Sequence, residues 1–317
     1  MTQDSAKRDT TLLVCAFAAI YLIWGSTYLA IAIGIESFPP LLLPATRHFT
    51  VGLLLYPVLR WKTGVRPTRA QWRTASITGI LLLLFGNGGV CLSERTVPTG
   101  VAALLVALVS FWMVLLDWLR PGGLRPVPRV FASLVLGFGG LALLVGPAHL
   151  GGSGRVDLTG ASILIVASLA WACGSIYSKH NDLPSSPMLG VAMQSLVGGA
   201  ALWIVALLSG EGRLFHLAAI SGRSWMAVAY LIVFGSGIGF TAYVYLLKKS
   251  SAARVGTYAF VNPVVALFLG WLWAGETITL RTALAAAVIL TAVLLVITAP
   301  HKSAVEAAEV LPTPGEA

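Results

Sequence analysis

Ten apolar stretches, each close to the length that crosses a bilayer, restrict this chain more than any other feature. A spanning helix needs about 20 mostly apolar residues, because the hydrocarbon layer is about 30 Å thick and the helix rises about 1.5 Å per residue. The stretches cover residues 12–33, 41–59, 72–92, 99–118, 130–145, 158–178, 189–208, 224–247, 252–274 and 280–298. The connections are short and rich in turn formers, as in Ser37-Phe38-Pro39-Pro40, Arg120-Pro121-Gly122-Gly123 and Gly151-Gly152-Ser153-Gly154. They leave no room for a soluble domain. The composition agrees: 57% of the 317 residues are hydrophobic and 10% charged, against about 25% charged in a soluble domain. A mean hydropathy of +0.86 is too high for one wettable surface around one core, which argues against a soluble enzyme.

The first stretch exceeds the apolar region of a secretory signal and turns aromatic with no small-residue cleavage site, so it is expected to be retained. Residues 301–317, with Pro312, Pro314 and three glutamates, are expected to be a disordered tail. Cys15, Cys91 and Cys173 lie inside apolar runs without metal-like spacing, so neither a disulfide framework nor a metal site is expected, and no cofactor.

The net charge of +9 does not indicate nucleic acid, because the basic residues sit in the short loops. Fifteen of the 21 fall on one side of the alternating connections, including Arg60, Lys62, Arg66, Arg69 and Arg73. Five fall on the other: Arg95, Arg155, Arg213, Arg223 and Arg281. Cytoplasmic loops hold the excess, which places both termini in the cytoplasm. The 60–73 loop is read as a topology determinant, with recognition of anionic lipid as the other reading.

The chain also repeats. Gly25-Ser26-Thr27-Tyr28 returns as Gly174-Ser175-Ile176-Tyr177, with Trp24 and Trp171 just upstream. Pro40 and Gly52 return 147 residues later as Pro187 and Gly199, and Phe85-Gly86-Asn87-Gly88 returns as Phe234-Gly235-Ser236-Gly237. Each half holds five spans, an odd number, so the second half must enter the membrane inverted. The expected fold is all-α and integral to the membrane: ten transmembrane helices in two inverted five-helix repeats, 12–145 and 157–298.

Several motifs now carry a family resemblance. Tyr21-Leu22-Ile23-Trp24-Gly25-Ser26-Thr27-Tyr28, then Pro39-Pro40 with Arg47 after it, Pro98-Thr99-Gly100-Val101-Ala102-Ala103, and Asn262-Pro263 followed by Gly275-Glu276 stand in the order and spacing of one family. Over about residues 12–298 the chain resembles the EamA family of the drug/metabolite transporter superfamily, most closely its bacterial inner-membrane exporters. The resemblance implies export of amino acids, related metabolites or drugs by alternating access. Ser110 stands where the family has the partner of Pro263, and Asp117-Trp118 replaces its usual Gly-Glu helix end, so strict symmetry of the two gates is not implied.

Arg47 is the one full charge well inside a span, about 7 residues or roughly 10 Å from its end. An intramembrane charge must face a cavity or a partner. Two readings stay open: a fork for a substrate carboxylate, or a structural clamp on carbonyls or on Glu36. His48 reads as packing, since adjacent helix residues point about 100° apart. Pro263, the expected hinge, frees the carbonyl of Ala259, and such a carbonyl persists in lipid only against protein or cavity water. Asn262 and Tyr258, one turn apart, form the expected polar cavity pair, with interhelical adhesion as the other reading. Asn87 and Ser236 are repeat equivalents flanked by glycine. Trp24 with Tyr28, and Trp171 with Ser175, present aromatic faces suited to apolar or cationic groups. Trp61, Trp118, Trp225 and Trp273, near span ends, read as interface anchors. The expected substrate contacts are therefore Trp24, Tyr28, Arg47, Asn87, Ser110, Trp171, Ser236, Tyr258 and Asn262.

The glycines at 137, 139 and 140 mark the fifth span as scaffold. An intramembrane enzyme would need a base near Ser236, yet no later span contains histidine. A facilitative, channel-like permease is the other alternative. The expectation is a monomeric secondary exporter whose substrate and energy coupling the sequence does not name.

Overall fold

The computed structural model describes residues 3–93, 96–97, 99–123, 125–145, 157–274 and 278–299, with no strand among them. Glu94, Glu276, the glycine loop at 151–154 and the 301–317 tail lie outside the described residues. Helices α1 (Gln3–Ile35), α2 (Leu42–Thr63) and α3 (Arg69–Ser93) open the chain. α4 runs as Thr99–Val106 and resumes after Ala107 as Leu108–Leu119, and α5 is Pro128–Val145. The second half holds α6 (Leu158–His180), α7 (Pro187–Leu208), α8 (Gly222–Lys249), α9 (Ala252–Gly256, resuming after Thr257 as Tyr258–Ala274) and α10 (Leu280–Ile297).

Nine helices among the described residues are long and apolar enough to cross a membrane; the stretch expected at 99–118 is broken at Ala107, and its apolar helix Leu104–Leu119 is shorter. Most helices outrun their apolar stretch at the basic ends, where Arg60, Arg69, Lys179 and Lys248 are still helical. Hydropathy marks the hydrocarbon, whereas backbone hydrogen bonding continues past it.

The two halves share their irregularities. α3 winds as a π-helix over Ile80–Gly88 and α8 over Leu231–Gly239, and the repeated Phe-Gly-Asn/Ser-Gly motif lies in both. The breaks at Ala107 and Thr257 fall in the equivalent α4 and α9. The halves also pack through one another: α2 lies along α7 and α5 along α10, while α1 meets α8 and α9 as α6 meets α3 and α4. Gly52 and Gly199, paired in the sequence repeat, both lie at the contact of α2 with α7. A Cβ on Gly52 would fall 2.4 Å from the Leu196 amide nitrogen, and one on Gly199 would fall 2.4 Å from that of Phe49. In the fifth span Gly137 and Gly140 make such approaches to Phe260 and Ile289, whereas Gly139 has open space around it.

Most helix starts carry their own cap. Thr68 and Gln71 form a capping box on α3. Asp157 accepts from the amides of Thr159 and Gly160, both at 3.1 Å, and a bond from Thr96 with these amides holds its carboxyl below the usual range. α2 has no side-chain cap of its own. Glu211, on a one-turn helix after α7, supplies it: its buried carboxylate accepts from Leu41 N at 2.9 Å and Leu42 N at 3.0 Å. A carboxylate on these orphan amides also opposes the positive end of the helix dipole. Glu211→Ala is expected to destabilise the protein by about 2 kcal/mol, with Glu211→Gln recovering part of the loss. Thermal denaturation in detergent measures it; an unchanged melting point for the alanine variant would remove this cap from the account.

Candidate functional site

A cavity of about 100 Å³ sits where α1, α2, α3, α4, α6, α8 and α9 converge. It has room for several waters or a small solute. Trp24 and Tyr28 reach it from α1, Arg47 from α2, Asn87 from α3, Trp171 from α6, and Tyr258 and Asn262 from α9. Seven of the nine expected contacts are thus brought together.

One pole is cationic. Arg47 is 4% exposed and its Nε donates to Ser236 Oγ at 2.6 Å. Gly235 makes room, since a Cβ there would fall 2.9 Å from the Arg47 Nη2. No carboxylate among the described residues lies within ion-pair distance of Arg47; Glu36 instead sits 3.7 Å from Arg223. Ser236 therefore lies behind Arg47 rather than on the cavity wall. The Gly235 carbonyl, which accepts from the Phe240 amide in the wide winding of α8, also accepts from Trp24 Nε1 at 3.0 Å, and this ties α1 to α8.

His48 departs from its expected packing role. It lines the cavity beside Arg47, its Nδ1 lies 3.3 Å from Ser236 Oγ, and its Nε2 has no protein partner among the described residues. The 100° between neighbours fixes only the Cα–Cβ directions, and the long Arg47 stem bends back to the same serine. Asn262 Oδ1 is also buried at the wall without a protein partner among the described residues.

The opposite pole is aromatic. Trp24 stands edge-on to Trp171 at 5.8 Å and to Tyr258 at 5.0 Å, and lies 5.0 Å from Tyr243. Tyr243, missed in the sequence because a tyrosine near a span end reads as an anchor, is fully buried and shares its hydroxyl with Ser175 at 2.6 Å and Trp171 Nε1 at 3.0 Å. Thr27, within the repeated motif, and Phe240, which the sequence did not mark, also line the cavity.

Ser110 lies away from the cavity. Its hydroxyl donates to the Gly256 carbonyl at 2.7 Å, joining α4 just past its break to the carbonyl exposed at the break in α9. Pro263 lies inside the second segment of α9, while the interruption of winding is at Thr257, whose hydroxyl is 2.6 Å from that of Tyr21.

Beyond the aromatic pole, side-chain bonds join the helices at the basic end. Lys179 donates to the carbonyls of Leu247 and Ser250, Lys248 to those of Lys179 and Asn181, and Asp117 meets Arg120 at 2.8 Å and His180 at 3.0 Å. These contacts fasten the ends of α4, α6 and α8 together.

Comparison with known proteins decides the family. The model of the EamA-like transporter family matches twice, over residues 11–146 and 158–298. The chain belongs to the EamA-like transporter family. It is 38% identical over 282 residues to the uncharacterized inner membrane transporter YedA of Escherichia coli, covering 89% of each chain. It is 25% identical to a probable amino-acid metabolite efflux pump of Escherichia coli, covering 86% of this chain and 90% of that one. One solved crystal structure superposes with a TM-score of 0.75 at 23% identity, over 91% of this chain and 98% of the other, so the fold is shared. These relatives point to transport rather than catalysis.

Proposed function

We propose that this EamA-family protein is a monomeric inner-membrane exporter of small zwitterionic or anionic metabolites, amino acids and related compounds foremost, working by alternating access around the central cavity. In this reading the chain makes ten spans as two inverted five-helix repeats with both termini cytoplasmic. The observation that carries it is a buried guanidinium without a carboxylate partner among the described residues, facing an aromatic-walled cavity between the two halves. A substrate carboxylate meets the free donors of Arg47, and its apolar or cationic part meets Trp24, Trp171 and Tyr258. His48, Asn87 and Asn262 offer neutral polar contacts, with Pro263 as a hinge in α9.

The inverted reading draws support from the exchange of contacts between halves and from the paired irregularities in α3 with α8 and α4 with α9. The 147-residue offset that carries Gly52 to Gly199 also carries Arg47 and His48 to Gln194 and Ser195. Gln194 and Ser195 are fully buried, and their side-chain polar atoms have no protein partner among the described residues. Buried polar groups normally find a partner. Opening of the basic end would give water access to them, as the central cavity gives access to Arg47.

Proteoliposomes test this. Radiolabelled amino acids are expected to exchange across the membrane, while the corresponding decarboxylated amines are not. Single cysteines at Asn87 and Tyr258 in a background lacking the three native thiols are expected to react with aqueous reagents and to be protected by substrate. A cysteine at lipid-facing Gly139 is expected to stay inert. In intact cells, cysteine at Gly222 should label from outside and cysteine at Ala70 only after lysis. Inert Asn87 and Tyr258 with a reactive Gly139 would move the pathway to α5 and α10, and reversed labelling of Gly222 and Ala70 would overturn the orientation.

A further inference from the structure

A second cavity, about 220 Å³, opens at the basic end between the ends of α4 and α10 and the starts of α5 and α9. Arg120, Arg125, Lys179 and Arg254 line it, and Asp117 is its one carboxylate among the described lining residues. Val114, Val127, Val130 and Val296 give it an aliphatic lining as well. Four cations against one carboxylate leave three positive charges uncompensated in a single concavity, which raises the local concentration of anions.

The cations are not equally occupied. Asp117 is committed to Arg120 and His180, and Lys179 to two backbone carbonyls. Arg254 has one long hydrogen bond through its side chain, Nη2 to the Ala299 carbonyl at 3.3 Å. Arg125 makes no hydrogen bond to protein among the described residues; its guanidinium carbon lies 5.9 Å from the Trp118 ring centroid, which orients it over the cavity mouth. The cavity thus presents two guanidinium forks with donors to spare, one from the start of α9 and one from the connection before α5.

We propose that this cavity binds a phosphate group between Arg125 and Arg254, and that its source is the headgroup of an anionic phospholipid in the leaflet at the basic end. The planar forks of arginine match phosphate oxygens pairwise. The aliphatic lining matches the glycerol and upper acyl carbons, a division of labour that free phosphate has no use for. Because its cations come from α4, α6, α9 and the connection before α5, a bound headgroup bridges the elements that meet at the basic end. It therefore favours the conformation in which they converge. The site shares no residue with the central cavity and does not depend on what is transported.

The test uses the full chain in detergent and in nanodiscs. Native mass spectrometry with phosphatidylglycerol against phosphatidylcholine is expected to retain one phosphatidylglycerol preferentially, and phosphatidylglycerol is expected to raise the melting temperature. Arg125→Gln/Arg254→Gln is expected to weaken that binding about five-fold for each cation removed. Arg66→Gln/Arg69→Gln, on the other basic loop, is expected to leave it unchanged. Millimolar inorganic phosphate is the second arm. Equal protection by phosphate, lost in the same double variant, would keep the phosphate site and reassign its source. Should the double variant not be recovered, Arg125→Gln alone carries the comparison, since Arg125 is exposed and makes no hydrogen bond to the protein among the described residues. Undiminished phosphatidylglycerol binding in the Arg125 variant, or loss of binding in the Arg66/Arg69 variant instead, would overturn the proposal.

Discussion

Replacing Arg47 by glutamine is expected to lower transport of carboxylate-bearing substrates at least about 100-fold, the size of effect that follows when one partner of a buried charge pair is truncated. Arg47→Lys is expected to recover only part of it, because lysine keeps the charge but presents no planar fork beside Ser236. The protein itself should survive both changes. Arg47 makes one side-chain hydrogen bond, to Ser236, and has no carboxylate partner within ion-pair distance among the described residues. Its burial therefore costs desolvation that no ion pair offsets. The glutamine variant is expected to melt at or above the temperature of the parent. Transport in proteoliposomes and melting in detergent separate the two roles open in the sequence: unchanged transport of every anionic substrate would end the binding role, and failed insertion would make Arg47 a structural clamp.

The second large effect lies at the contact of α2 with α7. Alanine at Gly52 or Gly199 would place its Cβ 2.4 Å from a backbone nitrogen of the facing helix. Backbone cannot rotate away as a side chain can, so the helices must separate along their length. A loss of about 3 kcal/mol or more is expected for either substitution, at the upper end of overpacking costs, with a corresponding fall in folded yield. Gly139→Ala is the control, because a Cβ there would meet nothing within 4 Å and alanine favours helix by about 1 kcal/mol. Equal melting temperatures for the three variants would show that α2 and α7 are not held at this distance.

Much of the candidate site is legible in the sequence because depth and residue type suffice to find it. Arg47 stands out as an isolated charge inside a span, the repeat relates Trp24 to Trp171 and Asn87 to Ser236, and Tyr258 and Asn262 lie one turn apart beside Pro263. Direction cannot be read in the same way. In a helix that is apolar nearly all round, periodicity no longer separates an inward from an outward face, so nothing local corrects the expectation that the family resemblance sets for Ser110, whose hydroxyl donates to the Gly256 carbonyl. Helix geometry sets His48 aside, and the long side chain of Arg47 evades that geometry. Tyr243 and Glu211 escape notice for the same reason: each acquires its role from a partner more than 60 residues away, Ser175 for the tyrosine and the amides of Leu41 and Leu42 for the glutamate.

The sequence by itself determined the class of this protein. A chain with this many apolar stretches has to satisfy its backbone internally and so becomes helical, and its internal repeat with the ordered motifs placed it in its family. The tertiary structure decided which polar groups are spent on protein and which line the central cavity without a protein partner among the described residues. That division depends on contacts between helices remote in sequence, such as Arg47 to Ser236 at 2.6 Å and Ser110 to Gly256 at 2.7 Å, and no local pattern of residues encodes them.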